Sequence, residues 1–255
     1  INVDRKGTNF FKDLGLIIKL YKIYRREKPG LVFHNSIKPN TYGSIAAKLA
    51  GVKCVNTVSG LGYIFIQENI YFHLVKFLYT LACAFSEKTF FQNKDDMGIF
   101  LSKKIVREDK AALVKGSGVD VEFFSSGYCK NRKKEPGVFL FSFIGRILRD
   151  KGITEFIDAA VIAKKKYPSA RFNIIGMIDK GNPAAVGAAE IDDWHRTGIA
   201  EYGGEVSDVR PFICEADCVV LPTYREGTPK SLLEASAMEK PIITTDAAGC
   251  REVVE

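Results

Sequence analysis

Histidine is scarce in this chain, with three residues among 255. None stands near Cys214 and Cys218, the closely spaced cysteines, so the clustering of a zinc site is missing and no metal ligands are expected. Long hydrophobic runs are lacking too. The longest, from Ile70 to Phe85, falls short of the roughly 20 residues that cross a bilayer and contains His73 and Lys76. It reads as a core helix or a membrane-surface helix, the buried helix being the plainer of the two. No leader-like pattern, internal repeat or low-complexity tract is visible. Without a helix-turn-helix, zinc-finger or RNP signature, nucleic acid is not an expected partner.

What is present describes a globular chain. With 46% hydrophobic and 26% charged residues it can bury a sizeable core and is long enough for two domains. The six cysteines, at 54, 83, 129, 214, 218 and 250, are scattered through a chain that needs no staples, so they read as reduced, mostly buried thiols. Cys214 and Cys218 have the spacing to share a helix face. The net charge of +7 is uneven: residues 1–135 hold 23 Lys and Arg against 12 Asp and Glu, whereas the rest hold 14 against 18. The basic half could meet an anionic membrane face or a phosphorylated acceptor.

Periodicity gives an alternating pattern. Apolar residues at 14, 17, 18, 21 and 24 predict a helix closed by Pro29-Gly30, followed by strand 31–33, helix 40–50 stopped at Gly51 and strand 54–58. The apolar helix, strand 88–92, helix 95–101 and segment 112–115 complete the first half. Residues 129–137 are polar, end in Pro-Gly and read as a linker. Strand 138–144, a helix with apolar positions 153, 156, 157 and 160, strands 171–175 and 219–222, helix 229–238 and strand 241–244 follow. Strands alternating with helices predict parallel sheets covered on both faces, with ligands at the strands' carboxyl ends.

Two constellations carry chemistry. Glu226 and Glu234 flank a strand-to-helix turn in which Thr228 reads as the N-cap and Pro229 as the first helical residue. Such a helix start favours a phosphate, with carboxylates on either side to accept bonds from sugar hydroxyls. Arg146 and Lys151 flank another turn, after strand 138–144, where a forked donor and a point charge could reach one anion. The plainer alternatives are a loop charge, an exposed helical glutamate and two solvated cations.

The segment Arg225-Glu-Gly-Thr-Pro-Lys-Ser-Leu-Leu-Glu-Ala235 resembles the Glu-x7-Glu signature of retaining GT-B glycosyltransferases of family 4. Phe143-Ile-Gly-Arg146 with Lys151-Gly152, Ala216-Asp217 through Pro222, Lys240-Pro241 through Asp246, and Gly249-Cys-Arg-Glu252 are similar to that family in order and spacing. In the first half, His34 through Gly43 and Gly60-Leu-Gly-Tyr63 resemble the members that build bacterial capsule, O-antigen and lipid-linked oligosaccharides.

The resemblance implies an α/β fold of the GT-B type, two Rossmann-like doubly wound domains facing a central cleft. Residues 1–128 would form the acceptor side and 138–255 the donor side. It also implies that a first strand and glycine-rich loop precede Ile1 and that further helices follow Glu255. Arg146 and Lys151 would contact the donor diphosphate, and Glu226 the sugar hydroxyls. Glu234 would hold the ribose diol, while Gly145, Gly227, Thr228, Pro229 and Ser231 line the donor. On the acceptor side His34, Gly60 and Gly62 are candidates. His34 is as readily a structural histidine, and Thr57-Val-Ser-Gly60 lacks the histidine many family members place there. Glu239, where Ala-Met-Gly is usual, is a surface departure at a helix end.

The expected activity is transfer of a hexosyl or N-acetylhexosaminyl group, with retention, from a nucleotide sugar, by family preference UDP-linked, to a lipid-linked or growing saccharide. No cofactor or metal is expected. The expected setting is cytoplasmic, peripheral on the inner face of the cell membrane. The rival readings are a sugar-nucleotide epimerase or hydrolase on the same fold, and a non-catalytic basic binding domain.

Overall fold

The computed structural model describes residues 10–61, 65, 70–130 and 136–254. The chain divides into two compact units, one of Ile1–Ser117 with Glu226–Thr228, the other of Gly118–Arg225 with Pro229–Glu255.

The first unit is built on a parallel sheet of β1 (Leu31–Asn35), β2 (Lys53–Val58), β3 (Lys88–Phe91) and β4 (Ala111–Leu113), in that spatial order. Helix α1 (Phe10–Glu27) buries Asp13, Leu16 and Tyr24, leaves Leu14, Ile18 and Tyr21 of the apolar repeat exposed, and ends before Pro29. A wide π-type turn over Pro39–Gly43 leads into α2 (Ser44–Ala50), which Gly51 closes in the left-handed conformation, as the sequence indicates. Between β2 and β3 runs α3 (Ile70–Phe85), and α4 (Lys94–Ser102) follows β3. Asn93 caps α4, its side chain accepting from the Asp96 amide at 2.7 Å.

An aromatic cluster fills the core beneath these helices. Phe100 meets Tyr79 and Phe91 edge-on, each with ring centroids 5.0 Å apart. Helix α3 buries Phe72, Tyr79, Ala82 and Cys83, as the buried-helix reading expects, yet leaves Leu74 and Phe77 in solvent. At the rim of the described sheet, β1 exposes Leu31 and Phe33, the latter at 75%.

The second unit has a five-stranded parallel sheet in the order β7-β6-β5-β8-β9. These strands are β5 (Phe139–Ile144), β6 (Ala170–Ile175), β7 (Glu201–Gly204), β8 (Cys218–Leu221) and β9 (Ile242–Thr244). Strand β5 lies at the centre. Helix α5 (Ile153–Lys166) buries Ile153, Phe156, Ile157 and Ala160, the four positions picked out by periodicity. Helices α6 (Ala188–Arg196), α7 (Arg210–Glu215) and α8 (Lys230–Ala237) complete the unit.

Three features differ from the sequence reading. The unit boundary falls after Ser117, ahead of the expected linker at 129–137, because the intervening segment packs on the second unit. Phe124 enters its core, and the Arg210 guanidinium stacks 3.6 Å from the Phe123 ring centroid and 4.5 Å from that of Tyr128. Next, Cys129 and Cys214 form a disulfide across 85 positions, with Cα atoms 5.3 Å apart. Cys214 lies in α7 and Cys218 in β8, so these two do not share a helix face, while Cys54, Cys83, Cys218 and Cys250 are buried free thiols. Finally, Pro229 takes the N-cap position of α8, whose first residue is Lys230.

Closing a loop of this length stabilises the folded chain by roughly 2–4 kcal/mol through the entropy of the unfolded state. Under non-reducing denaturing conditions, alkylation followed by mass spectrometry is expected to label four of the six cysteines. Cys129→Ser should lower the unfolding free energy of the oxidised protein by about that amount and leave the reduced protein unchanged.

Candidate functional site

In the second unit the carboxyl ends of β5, β6 and β8 converge. The Gly145 amide donates to the Ile175 carbonyl at 2.9 Å, and the Ile147 amide to the Met177 carbonyl at 3.1 Å, so the turns leaving β5 and β6 run side by side. At Gly176 an added Cβ would lie 1.8 Å from the Gly145 oxygen, which only glycine avoids. Arg146 projects from this junction with its side chain half exposed, and its Nη1 lies 3.5 Å from Asp179 Oδ2.

The chain then makes a short 3₁₀ turn, Arg149–Lys151, ended by Gly152 at φ 75°. A Cβ on Gly152 would lie 2.0 Å from the Pro222 oxygen, so the turn rests directly on the segment leaving β8. The Asp150 carbonyl accepts from Thr223 Oγ1 at 3.0 Å and from the Tyr224 amide at 3.1 Å. Tyr224 in turn donates its hydroxyl proton to Glu155 Oε1 at 2.6 Å. Arg149 is held by Glu190, its Nη2 donating to both carboxylate oxygens at 2.9 Å. Arg146, in contrast, is held among the described residues by a loose pair with Asp179, and Lys151 is half-buried at the end of the turn.

Glu234 sits on the second turn of α8, 9% exposed, rather than on the helix's solvent side. Its ion pair is with Lys230, at 3.9 Å, beyond hydrogen-bond length. Burial pushes the carboxyl pKa up and the Lys230 charge pulls it partly back. A buried carboxylate with so distant a cation is suited to accept bonds from hydroxyls brought by a ligand. Ser231, partly buried, lies on the first turn, and Pro229 is buried at the helix start.

Residues 226–228 are counted with the first unit. There Asn93 Nδ2 donates to the carbonyls of Glu226 at 3.2 Å and Gly227 at 2.9 Å, and the Thr228 hydroxyl donates to the Gln92 carbonyl at 3.2 Å instead of capping α8. Gly60 lies against the Gly227 backbone. Gly62 is outside the described residues.

His34 is buried, with both ring nitrogens engaged. Nε2 lies 2.9 Å from the Tyr24 hydroxyl and Nδ1 3.1 Å from Asn56 Oδ1, itself 3.0 Å from Ser44 Oγ. An amide oxygen only accepts, so Nδ1 carries the proton; in the neutral ring that burial favours, Nε2 accepts from the Tyr24 hydroxyl. Burial lowers its pKa, opposed by the bond to Asn56. This geometry gives His34 the structural role rather than an acceptor-side one.

The sequence reading did not single out Asp179 or the lacing through the Asp150 carbonyl. Strand order would have pointed to Asp179, which follows the neighbour of β5 by four residues. Among the described residues no group of three or more His, Cys, Asp or Glu is placed to hold a metal ion.

Two parallel sheets, one with a cationic turn at the carboxyl end of its central strand and a buried carboxylate on α8, the helix that follows the neighbouring strand β8, define a parallel α/β protein with a candidate anion site at its strand ends. Residues 139–255 match the family described as Glycosyl transferases group 1, and residues 1–93 match Glycosyl transferase 4-like. A Campylobacter jejuni N,N'-diacetylbacillosaminyl-diphospho-undecaprenol alpha-1,3-N-acetylgalactosaminyltransferase is 30% identical over 98% of this chain and 68% of its own. An Escherichia coli UDP-Gal:alpha-D-GlcNAc-diphosphoundecaprenol alpha-1,3-galactosyltransferase is 27% identical over 96% of the chain and 65% of its own. Among solved structures, Anabaena Alr3699/HepE in complex with UDP and glucose superposes with TM-score 0.74 at 16% identity, over 94% of this chain and 65% of that one. Sucrose-phosphate synthase from Thermosynechococcus elongatus gives 0.76 at 15% identity, over 97% and 63%. The chain belongs to the family 4 glycosyltransferases and has the GT-B fold. It spans about two thirds of the length of the curated relatives it matches.

The buried histidine generates a pH dependence with a definite sign. Its folded pKa lies below the ordinary imidazole value, so as pH falls through about 6.5 the unfolded chain takes up the proton first and stability declines. Urea unfolding of the first unit should show higher stability at neutral pH than at mildly acidic pH, and His34→Gln should flatten that slope.

Proposed function

We propose that this protein is a retaining glycosyltransferase that moves a hexosyl or N-acetylhexosaminyl group from a UDP-sugar to a lipid-linked saccharide at the cytoplasmic face of the cell membrane. The observation that carries this reading is the pairing of Arg146 and Lys151 on a turn laced to the β8 segment with the buried carboxylate of Glu234 on α8. Relatives matched over almost the whole chain, which act on diphosphoundecaprenol-linked saccharides by their names, support the acceptor class.

The reaction needs negative charge stabilised on a departing nucleoside diphosphate. Arg146 offers a planar fork for two phosphate oxygens, and exchanging the loose Asp179 contact for a diphosphate costs the guanidinium little. Lys151 adds a point charge from the other end of the turn. Glu234 accepts from the ribose hydroxyls, and Glu226 from the sugar. In this reading the two cations supply the electrophilic charge and no metal is required. The acceptor oxygen attacks the anomeric carbon on the face the phosphate leaves. The bond from that carbon to the phosphate oxygen breaks, and the acceptor's proton passes to the departing oxygen, so the configuration is kept.

Arg146→Ala should lower kcat about a hundredfold, the scale of losing one donor to a developing anion. Glu234→Gln should weaken UDP binding in calorimetry about tenfold, as for loss of a charge-assisted hydrogen bond, with a smaller effect on kcat. Transfer should persist in EDTA, and NMR of the product should show the donor's anomeric configuration. An inverted product, or release of free or epimerised sugar with no need for an acceptor, would sink the proposal.

A further inference from the structure

The turn after β5 carries two arginines in different company. Arg149 is taken up by Glu190, whose two carboxylate oxygens accept from its Nη2 at 2.9 Å. Arg146 meets an acid as well, but Asp179 Oδ2 stops 3.5 Å from its Nη1, past the usual length of a charge-assisted hydrogen bond. Both of these side chains keep contact with solvent, at 50% and 30% exposure. The backbone around Asp179 is nonetheless well tied. The Asn182 amide donates to the Asp179 carbonyl at 2.8 Å, Asn182 Oδ1 accepts from the Ala184 amide at 3.0 Å, and the Ala184 carbonyl accepts from the Arg149 amide at 2.8 Å. The segment that bears this acid is thus bound to the turn that bears Arg146 and Lys151, within one unit.

A site that only had to retain phosphates would gain nothing from a carboxylate beside its arginine. An arriving diphosphate displaces the loose contact, yet the Asp179 charge stays close by and opposes it, and this opposition grows with the charge of the ligand. That charge changes during the proposed reaction. The phosphate oxygen that parts from the anomeric carbon keeps the bonding electron pair, so once the acceptor's proton has passed on to solvent the nucleoside diphosphate carries one more negative charge than the donor did. Two cations without a counter-charge would hold this product more tightly than the substrate. We infer that Asp179 is a product-release residue, whose carboxylate beside Arg146 weakens binding of the nucleoside diphosphate more than that of the nucleotide sugar, so that the site empties after transfer. It touches no reacting atom and acts through the charge at Arg146. The inference rests on the proposed function for the identity of the ligand.

The test is calorimetry on the 255-residue chain with three ligands: UDP, UDP methylated on its terminal phosphate, which has the donor's charge and no sugar, and inorganic pyrophosphate. At about 7 Å and near-aqueous screening, each unit of ligand charge is worth roughly a threefold change in affinity. Asp179→Asn should therefore tighten the methyl ester roughly tenfold and UDP roughly thirtyfold, a gap that narrows in high salt. In surface plasmon resonance most of the gain should appear as slower UDP dissociation. Asp179→Glu keeps the charge and should keep the ratio of the two affinities. Glu201→Gln, the same change of charge at the amino end of β7, is the control that should move neither. Circular dichroism and thermal unfolding establish that each variant is folded. Equal tightening of UDP and its ester, a gain confined to association, or weaker binding of both overturns the inference, the last marking Asp179 as a mere support for Arg146. Failure of the proposed function reads differently. If pyrophosphate binds and tightens in Asp179→Asn while UDP does not bind, the nucleotide is wrong and the charge effect stands; if UDP binds but its ratio to the ester is unmoved, the function stands and the role of Asp179 falls. Binding of none of the three removes both.

Discussion

The contact on which the second unit's candidate site depends is the seating of Gly152 against the Pro222 carbonyl. A side chain there would drive the turn after β5 away from the segment after β8, because an added Cβ would lie 2.0 Å from that oxygen. With the contact made, the Asp150 carbonyl reaches Thr223 and Tyr224, and Tyr224 reaches Glu155. Arg146 and Lys151 thus belong to a turn held by backbone hydrogen bonds and not to a loose loop. Cations on a stiff turn lose little conformational freedom when an anion arrives, which is the main cost of using long charged side chains.

Much of this architecture is legible in the sequence. The positions 153, 156, 157 and 160 lie on the buried side of α5, and Gly51 closes α2 in the left-handed conformation. Elements with weak local signals were not legible. Helix α6 fully buries one residue, Ile191; β7 is a four-residue Glu-Tyr-Gly-Gly; and α7 is a six-residue helix with a proline at its start. Tertiary packing, not propensity, decides these. The same holds for Cys129 and Cys214, 85 positions apart, whose encounter follows from where the segment after Ser117 lies.

The candidate site is legible in sequence as residue types at strand ends, and less so as environments. Sequence placed Arg146 and Lys151 on one turn, but not Asp179 beside Arg146, since that neighbour comes from the adjacent strand. Glutamate is usually exposed, so the burial of Glu234 could come only from packing. For His34 the strand end suggested a ligand contact, whereas Tyr24, Ser44 and Asn56 close a buried polar network around it. Such a network, once satisfied, fixes a unique arrangement of α1, α2 and β2 on β1.

Strand β1, at the rim of the described sheet, carries consequences of another kind. Among the described residues no strand pairs with its outer edge, and Phe33 and Leu31 are exposed on it. An uncovered strand edge with apolar flanks is a template for another strand, and parallel pairing forms slowly enough to leave time for wrong partners. Where nothing covers this edge, association at high concentration follows from its geometry. Slow, concentration-dependent association of the isolated chain would reflect geometry rather than damage, and a charged residue at position 33 is the natural place to suppress it.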